Sequence, residues 1–433
     1  MTEIVKTVNK RCQAPQAIGI DFGTSNSAAS VLLADGSARM VELDPPGPPA
    51  ELLKTLLYFP TRTEAFFGGA AIHEYFDRDR EGRFFQSIKR LLTSAEFKGT
   101  VVHNQFLSLE ELIARFLKEM RKRIEARIGV IPESVPWMMG RPARYSLDPQ
   151  REELALARFR RACDLAGISR PRFIEEPRAA SLTYRPRSDH PETVLVADLG
   201  GGTSDFTLMN VKRGAPSEIL ANYGVPVAGD ALDSAFVVSR LNRFFGSEIR
   251  YQRPFSENIL TMPTSFTRLL PKWHQHAFLK EKDTWNFILN LRKEIVDPKD
   301  QAYLENLLTL VEDNLGYALH REVEKLKVTL SRNTTTEFVF KSYPIDIRIP
   351  VTRDEYEQLI TDPARTIQEA ASETARLAAV DASSVHFVYF TGGTSQVPLI
   401  RSKILQAFPN AQTVDQDAFT SVAAGLALSS LTG

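Results

Sequence analysis

Short apolar runs alternate with longer stretches whose apolar residues recur every three or four positions, and these two periods predict strands alternating with helices. Ala17-Ile18-Gly19-Ile20 reads as a buried strand. The apolar stretches at residues 28–33 and 38–43 flank Ala34-Asp35-Gly36-Ser37, a hairpin signal. A cluster, Pro45-Pro46-Gly47-Pro48-Pro49, breaks regular structure before a strand at about residues 56–59. Between residues 108 and 127, Leu112, Ile113, Phe116, Leu117, Met120 and Ile124 share one helical face. A strand near residues 135–139, a helix over 149–166, a strand near Phe173 and a helix from Pro177 follow. The pattern then starts again, with strands expected at residues 194–197, 206–211 and 218–223. Residues 230–331 read as mostly helical and carry Trp273 and Trp285. Strands at 336–340 and 345–349, one long helix over 353–377, a strand at 385–390 and a helix after Pro398 complete the chain. This β/α order predicts an α/β protein with crossover helices, in two halves of similar architecture.

Three predicted strands end in turns that carry chemistry. They are Asp21-Phe22-Gly23-Thr24-Ser25-Asn26, Asp198-Leu199-Gly200-Gly201-Gly202-Thr203-Ser204-Asp205 and Thr391-Gly392-Gly393-Thr394-Ser395. Glycine allows close backbone approach and positive φ, so successive amides can point at a phosphate, while a flanking aspartate can hold a hydrated divalent ion. The pattern indicates ATP or ADP with Mg²⁺, held through water by Asp21 and Asp198. Thr24 and Thr203 can donate hydroxyls to phosphate oxygens or cap their own turns.

Composition narrows the field only modestly. The chain has 433 residues, 43% hydrophobic and 24% charged, enough for two cored domains. Its 53 basic and 53 acidic side chains cancel, so no global field favours nucleic acid or an anionic membrane, and neither is an expected partner. Cys12 and Cys163 are too few for a disulfide scaffold, and Cys163 reads as a buried small hydrophobe. His274 and His276, two apart, do not share a helical face and do not read as a metal site. The run Arg158-Phe159-Arg160-Arg161 reads as the wet side of a helix. No signal peptide or spanning segment is visible, so a cytoplasmic location is expected.

With its three turns in order, the chain resembles the actin-like ATPase superfamily, and within it the nucleotide-binding domain of DnaK-type heat-shock chaperones, the heat shock protein 70 family. The resemblance runs from Ile18 to about Leu428 and is closest to the short YegD-like branch. Ser87-Ile88-Lys89-Arg90-Leu91-Leu92 resembles the segment bearing a catalytic lysine, which implies that role for Lys89. Glu175-Glu176-Pro177-Arg178-Ala179-Ala180 resembles the Asn-Glu-Pro-Thr-Ala-Ala stretch and places a cleft carboxylate at Glu176. The resemblance also implies Gly229 and Asp230 in a loop closing on phosphate, and Glu324, Lys327 and Ser331 at ribose and adenine. Glu176, Asp198, Thr203 and Asp205 then join Lys89 as catalytic residues. Phosphate contacts fall to Gly23, Thr24, Ser25, Asn26, Gly200, Gly201, Gly202, Gly392, Gly393 and Thr394. Val328 and Gln396 stand where the family has arginine stems around adenine.

The resemblance implies slow ATP hydrolysis and an unnamed protein partner or client. It also implies lobe I at residues 1–192 plus 415–433 and lobe II at 193–414, with a mostly helical lid at about 230–314. The chain's end soon after Gly425-Leu426-Ala427 leads us to expect no peptide-binding domain. Two rivals share the phosphate turns: an actin-like small-molecule kinase and a nucleotide-dependent scaffold with little turnover.

Overall fold

Strand Ala17–Asp21 sits in the middle of its sheet, and what lies on either side of it recurs in the second half of the chain. On one side it runs parallel to Trp137–Arg141, with Ile18 opposite Trp137; on the other it forms a hairpin with Asn26–Leu32, with Asp21 opposite Ala28. Glu192–Leu199 repeats this arrangement. It runs parallel to Phe387–Thr391 and forms a hairpin with Ser204–Val211, in which Asp198 faces Asp205. Each central strand therefore ends in an aspartate beside a glycine turn, and Asp198 also lies in register with Thr391 of the third turn. A computed structural model describes residues 14–44, 50–78, 81–146, 148–183, 190–212, 217–415 and 421–431. Cys12 and the proline cluster at 45–49 lie outside them.

The first sheet has the order Arg172–Glu175, Trp137–Arg141, Ala17–Asp21, Asn26–Leu32, Ala38–Met40, with Leu52–Lys54 also paired to Asn26–Leu32. The second runs Glu218–Val225, Ser204–Val211, Glu192–Leu199, Phe387–Thr391, Gln412–Asp415. Helix Ser421–Ser429 comes back from the second sheet to pack on the first. Gly19 permits this, since a Cβ there would lie 2.6 Å from both the Ala423 carbonyl and the Ala427 nitrogen. Met138 and Leu426 on one side and Val196 and Tyr389 on the other then form one apolar cluster that joins the sheets. An aromatic cluster makes a second junction, with Phe84 placed 5.5 Å from Trp273 and 5.3 Å from Tyr317, centre to centre.

Local signals account for most elements. Helix Leu109–Ile128 starts at a capping box between Ser108 and Glu111 and buries the apolar face read from its sequence. The long helix expected over 353–377 is instead two, Arg353–Leu359 and Thr361–Leu377, with Ile360 at φ −97°, ψ 10°. Pro363 is the reason: it has no N–H to give the Leu359 carbonyl. Residues 230–331 are chiefly helical as expected, but a hairpin of Arg250–Gln252 with Ile259–Thr261 interrupts them.

Candidate functional site

The three turns meet at the carboxyl ends of their strands, where open α/β sheets place ligands. They wall a cavity of about 620 Å³ lined by Asp21, Gly23, Thr24, Ser25 and Asn26, by Gly200, Gly201 and Thr203, and by Gly392, Gly393 and Thr394. Short bonds hold the turns in shape. Thr55 Oγ1 donates to the Gly23 carbonyl at 2.9 Å, and the Gly200 N–H donates to the Thr203 carbonyl at 3.0 Å. Thr394 Oγ1 ties the third turn to the second through the Gly200 carbonyl at 2.6 Å. Gly392 sits at φ +79°, which a side chain would strain. Gly202 lies within the second turn, and Gly229 lies against it, its N–H donating to the Gly200 carbonyl at 3.3 Å. The Asp230 N–H donates to the Gly201 carbonyl at 2.7 Å, and Arg90 Nη1 donates to Asp230 Oδ2 at 3.1 Å across the cleft.

Acidic side chains crowd the floor around one lysine. Lys89 Nζ donates to Glu176 Oε1 at 2.8 Å, with both side chains about nine-tenths buried. Burial works against the Lys89 charge, but Glu176, Tyr145 and Asp21 outweigh it and hold its pKa above the ordinary value. Desolvation pushes Asp21 up to about 7, with Glu176 adding to the shift and Lys89 easing it. Asp205 rises to about 6, chiefly through desolvation, against a hydrogen bond from Thr203 that lowers it. Asp198 rises well above the usual carboxylate range through desolvation and the neighbouring Glu176, Asp205 and Asp21. Among the described residues no three His, Cys, Asp or Glu side chains close on one point as direct ligands. A set of desolvated carboxylates beside glycine turns fits a divalent ion held through its water shell together with a polyphosphate.

These carboxylates also set a pH dependence. Asp21 keeps its proton to about pH 7 in the folded, metal-free protein but loses it near its ordinary 3.8 when unfolded, so the folded state binds more protons between. Its contribution is fully present below about pH 4 and is lost as pH rises through about 7. We predict that, in EDTA, the melting temperature of Asp21→Asn climbs relative to wild type between about pH 5 and 8. A difference that stays flat with pH would contradict this.

The opposite wall comes from helix Gly316–Arg332. Lys327 Nζ pairs with Asp233 Oδ2 at 2.7 Å and reaches the Gly229 carbonyl at 3.5 Å. Burial raises the Glu324 carboxyl, but Lys54, Lys327, His320 and Arg321 outweigh it, leaving its pKa below the ordinary value. Ser331 lines the cavity, with its hydroxyl donating to the Lys327 carbonyl at 2.9 Å. Val328 and Gln396 both face the cavity, and so does Arg332. Sequence reading passed over Arg332, although it stands one helical turn beyond Val328 on the same face. Arg144 and Tyr145 were missed too; no motif marks them, and the loop that carries them folds back on helix Pro149–Leu165.

Arg158 overturns an expectation. Arg160 and Arg161 are exposed, but Arg158 is buried, and the reading of the whole run as a wet helix face fails there. Its guanidinium donates to the carbonyls of Leu91, Leu92 and Ser94 at 3.2, 3.3 and 2.8 Å and to that of Phe97 at 3.0 Å. Glu110 lies 3.3 Å away. Arg158 thus closes the end of the short helix Ile88–Thr93 that carries Lys89. Arg158→Met would strand those carbonyls and Glu110, and should destabilise the protein by about 3–5 kcal/mol in urea denaturation. A loss below about 1 kcal/mol would show that the segment holds itself.

Cys163 is fully buried as expected, and its thiol is pushed up to about 12 by desolvation. His276 is buried, its Nε2 lying 2.9 Å from the Leu270 carbonyl.

A duplicated β/α unit with two aspartate-glycine turns facing across a cleft defines the actin-like ATPase fold. Within that class the chain belongs to the Hsp70 family: the family model described as Hsp70 protein matches residues 73–253 and 308–432. It is 23% identical over 394 residues to the chaperone protein DnaK of Thermoplasma acidophilum, covering 89% of this chain and 53% of the relative. It is 24% identical over 425 residues to dnaK1 of Synechocystis sp., covering 92% and 51%, and 24% identical over 427 residues to DnaK of Thermotoga maritima, covering 96% and 59%. The chain thus spans a little over half the length of these curated relatives. Membership of that family supports a chaperone-like nucleotide-binding domain. Among the described residues no helix is long and apolar enough to cross a membrane.

Proposed function

We propose that the cleft binds ATP with Mg²⁺ and hydrolyses it slowly, ADP and phosphate being the products. The observation that carries this reading is the convergence of three glycine turns on one cavity whose floor holds Asp21, Asp198, Asp205 and the Lys89–Glu176 pair. Bound Mg²⁺ would neutralise phosphate charge, held through water by Asp21 and Asp198. Backbone amides of residues 23–26, 200–203 and 392–394 would cradle phosphate oxygens, aided by the Thr24 hydroxyl. Lys89 would place its charge at the terminal phosphoryl group, while Glu176 and Asp205 order the attacking water. Glu324, Lys327 and Ser331 would hold ribose and adenine; with Val328 and Gln396 flanking the base, Arg332 is the nearby guanidinium that can stack on it.

The lobes we assign are residues 1–192 with 415–433, and 193–414, with the lid at about 230–314 opening for exchange. The helix Ser421–Ser429 on the first sheet supports that division. A client or other protein partner reading the closed and open states, and a cytoplasmic location, follow the DnaK relatives. Calorimetry of ATP and ADP with and without Mg²⁺ tests the binding half. Binding that ignores Mg²⁺, or none, would refute the reading.

A further inference from the structure

One polar side chain in the cleft wall has no part in the chemistry above. Tyr145 lies in the loop between strand Trp137–Arg141 and helix Pro149–Leu165. Glu152, on that helix, pins the loop, its Oε2 accepting from the N–H groups of Tyr145 at 2.6 Å and Ser146 at 3.0 Å. The tyrosine lines the cavity, and its hydroxyl oxygen is buried with no hydrogen-bond partner among the described residues. Lys89 and Glu176 stand within electrostatic reach of it. They bond to each other, and neither is a partner of the phenol. Leaving a buried hydroxyl unpaired destabilises a folded protein, and phenylalanine would fill the same volume without that defect. A fixed, unpaired donor in a ligand cavity is suited to a group the ligand brings.

We propose that the Tyr145 hydroxyl is a catalytic hydrogen-bond donor to a terminal phosphoryl oxygen of the bound nucleoside triphosphate, next to Lys89. The inference rests on reading the cleft as an ATP-hydrolysing site. As the water oxygen bonds to the terminal phosphorus and the bridging P–O bond breaks, the phenol keeps its proton and stabilises charge on the transferring group. Water supplies the oxygen and protons of inorganic phosphate, and ADP leaves. Desolvation and Glu176 raise the phenol pKa more than Lys89 lowers it, so the donor stays protonated at neutral pH.

The test compares wild type with Tyr145→Phe in three measurements: single-turnover ATP hydrolysis in Mg²⁺, calorimetric ADP affinity, and the melting temperature of the nucleotide-free protein. Hydrolysis should fall by about tenfold or more, the effect of one donor lost from the transition state. ADP, lacking the group contacted, should bind within about twofold of wild type, and the melting temperature should stay level or rise. An unchanged hydrolysis rate would overturn the inference, as would an equal loss of ADP affinity. A lower melting temperature would do the same, by revealing a structural partner for the hydroxyl. Wild type that hydrolyses nothing would overturn the ATPase reading and this inference with it. Wild-type turnover matched by the variant would overturn this inference alone.

Discussion

Asp198→Asn should cut Mg²⁺-dependent ATP hydrolysis by about 100-fold or more while leaving the fold intact. The two effects separate because of where the residue sits. Desolvation and three neighbouring carboxylates already drive Asp198 toward its neutral form in the metal-free protein, and an amide closely mimics a protonated acid. The substitution therefore takes away little that the metal-free fold depends on, and the melting temperature should stay level or rise. With metal and nucleotide present the charge is needed, and asparagine cannot supply it. Hydrolysis measured under single-turnover conditions beside thermal denaturation checks both halves. Wild-type turnover in the variant would remove Asp198 from the site, and a collapse in stability would mean that the carboxylate is structural.

Lys89→Met should produce a loss of similar size by a different route. The ammonium lies against Glu176 at 2.8 Å, and its removal leaves a buried carboxylate facing Asp21 and Asp198 without a counter-charge. Breaking a buried pair costs about 3–5 kcal/mol, so some stability should be lost as well as activity. Lys89→Met/Glu176→Gln removes both charges and should recover much of that stability without recovering hydrolysis. ADP affinity should change little in the single variant, because ADP lacks the terminal group that Lys89 is assigned to contact. Calorimetry with ADP beside the rate measurement decides between this role and one in general nucleotide binding. Equal losses in both would place the lysine elsewhere.

Sequence alone made the strand-turn-strand units legible, since apolar runs ending in Asp and Gly are local features, and the pairing of Asp21 and Asp198 across a cleft follows from duplication. Lys89 and Glu176 lack a local signal strong enough to stand alone, and only resemblance put them in one site; the structure brings them into contact. What escaped was set by long-range packing. The burial of Arg158 depends on four carbonyls more than sixty residues earlier in the chain. Tyr145 reaches the cleft through a loop pinned by Glu152, which no periodicity reveals. Arg332 was legible in principle by helical spacing from Val328. The break at Ile360 was legible as well, because Pro363 announces it. Gly229 and Asp230 meet the second turn through backbone bonds to Gly200 and Gly201, a contact that sequence spacing does not carry.

If the acidic floor and its three glycine turns form a Mg²⁺-dependent ATP-hydrolysing site, as we propose, turnover must follow both the metal and Asp198. The most direct measurement is single-turnover conversion of radiolabelled ATP to ADP and phosphate by the wild-type protein, with Mg²⁺ and with EDTA, alongside Asp198→Asn. Slow conversion is expected with Mg²⁺, none with EDTA and close to none in the variant. Conversion that persists in EDTA or in Asp198→Asn, or its absence from wild type saturated with Mg²⁺ and ATP, would contradict it.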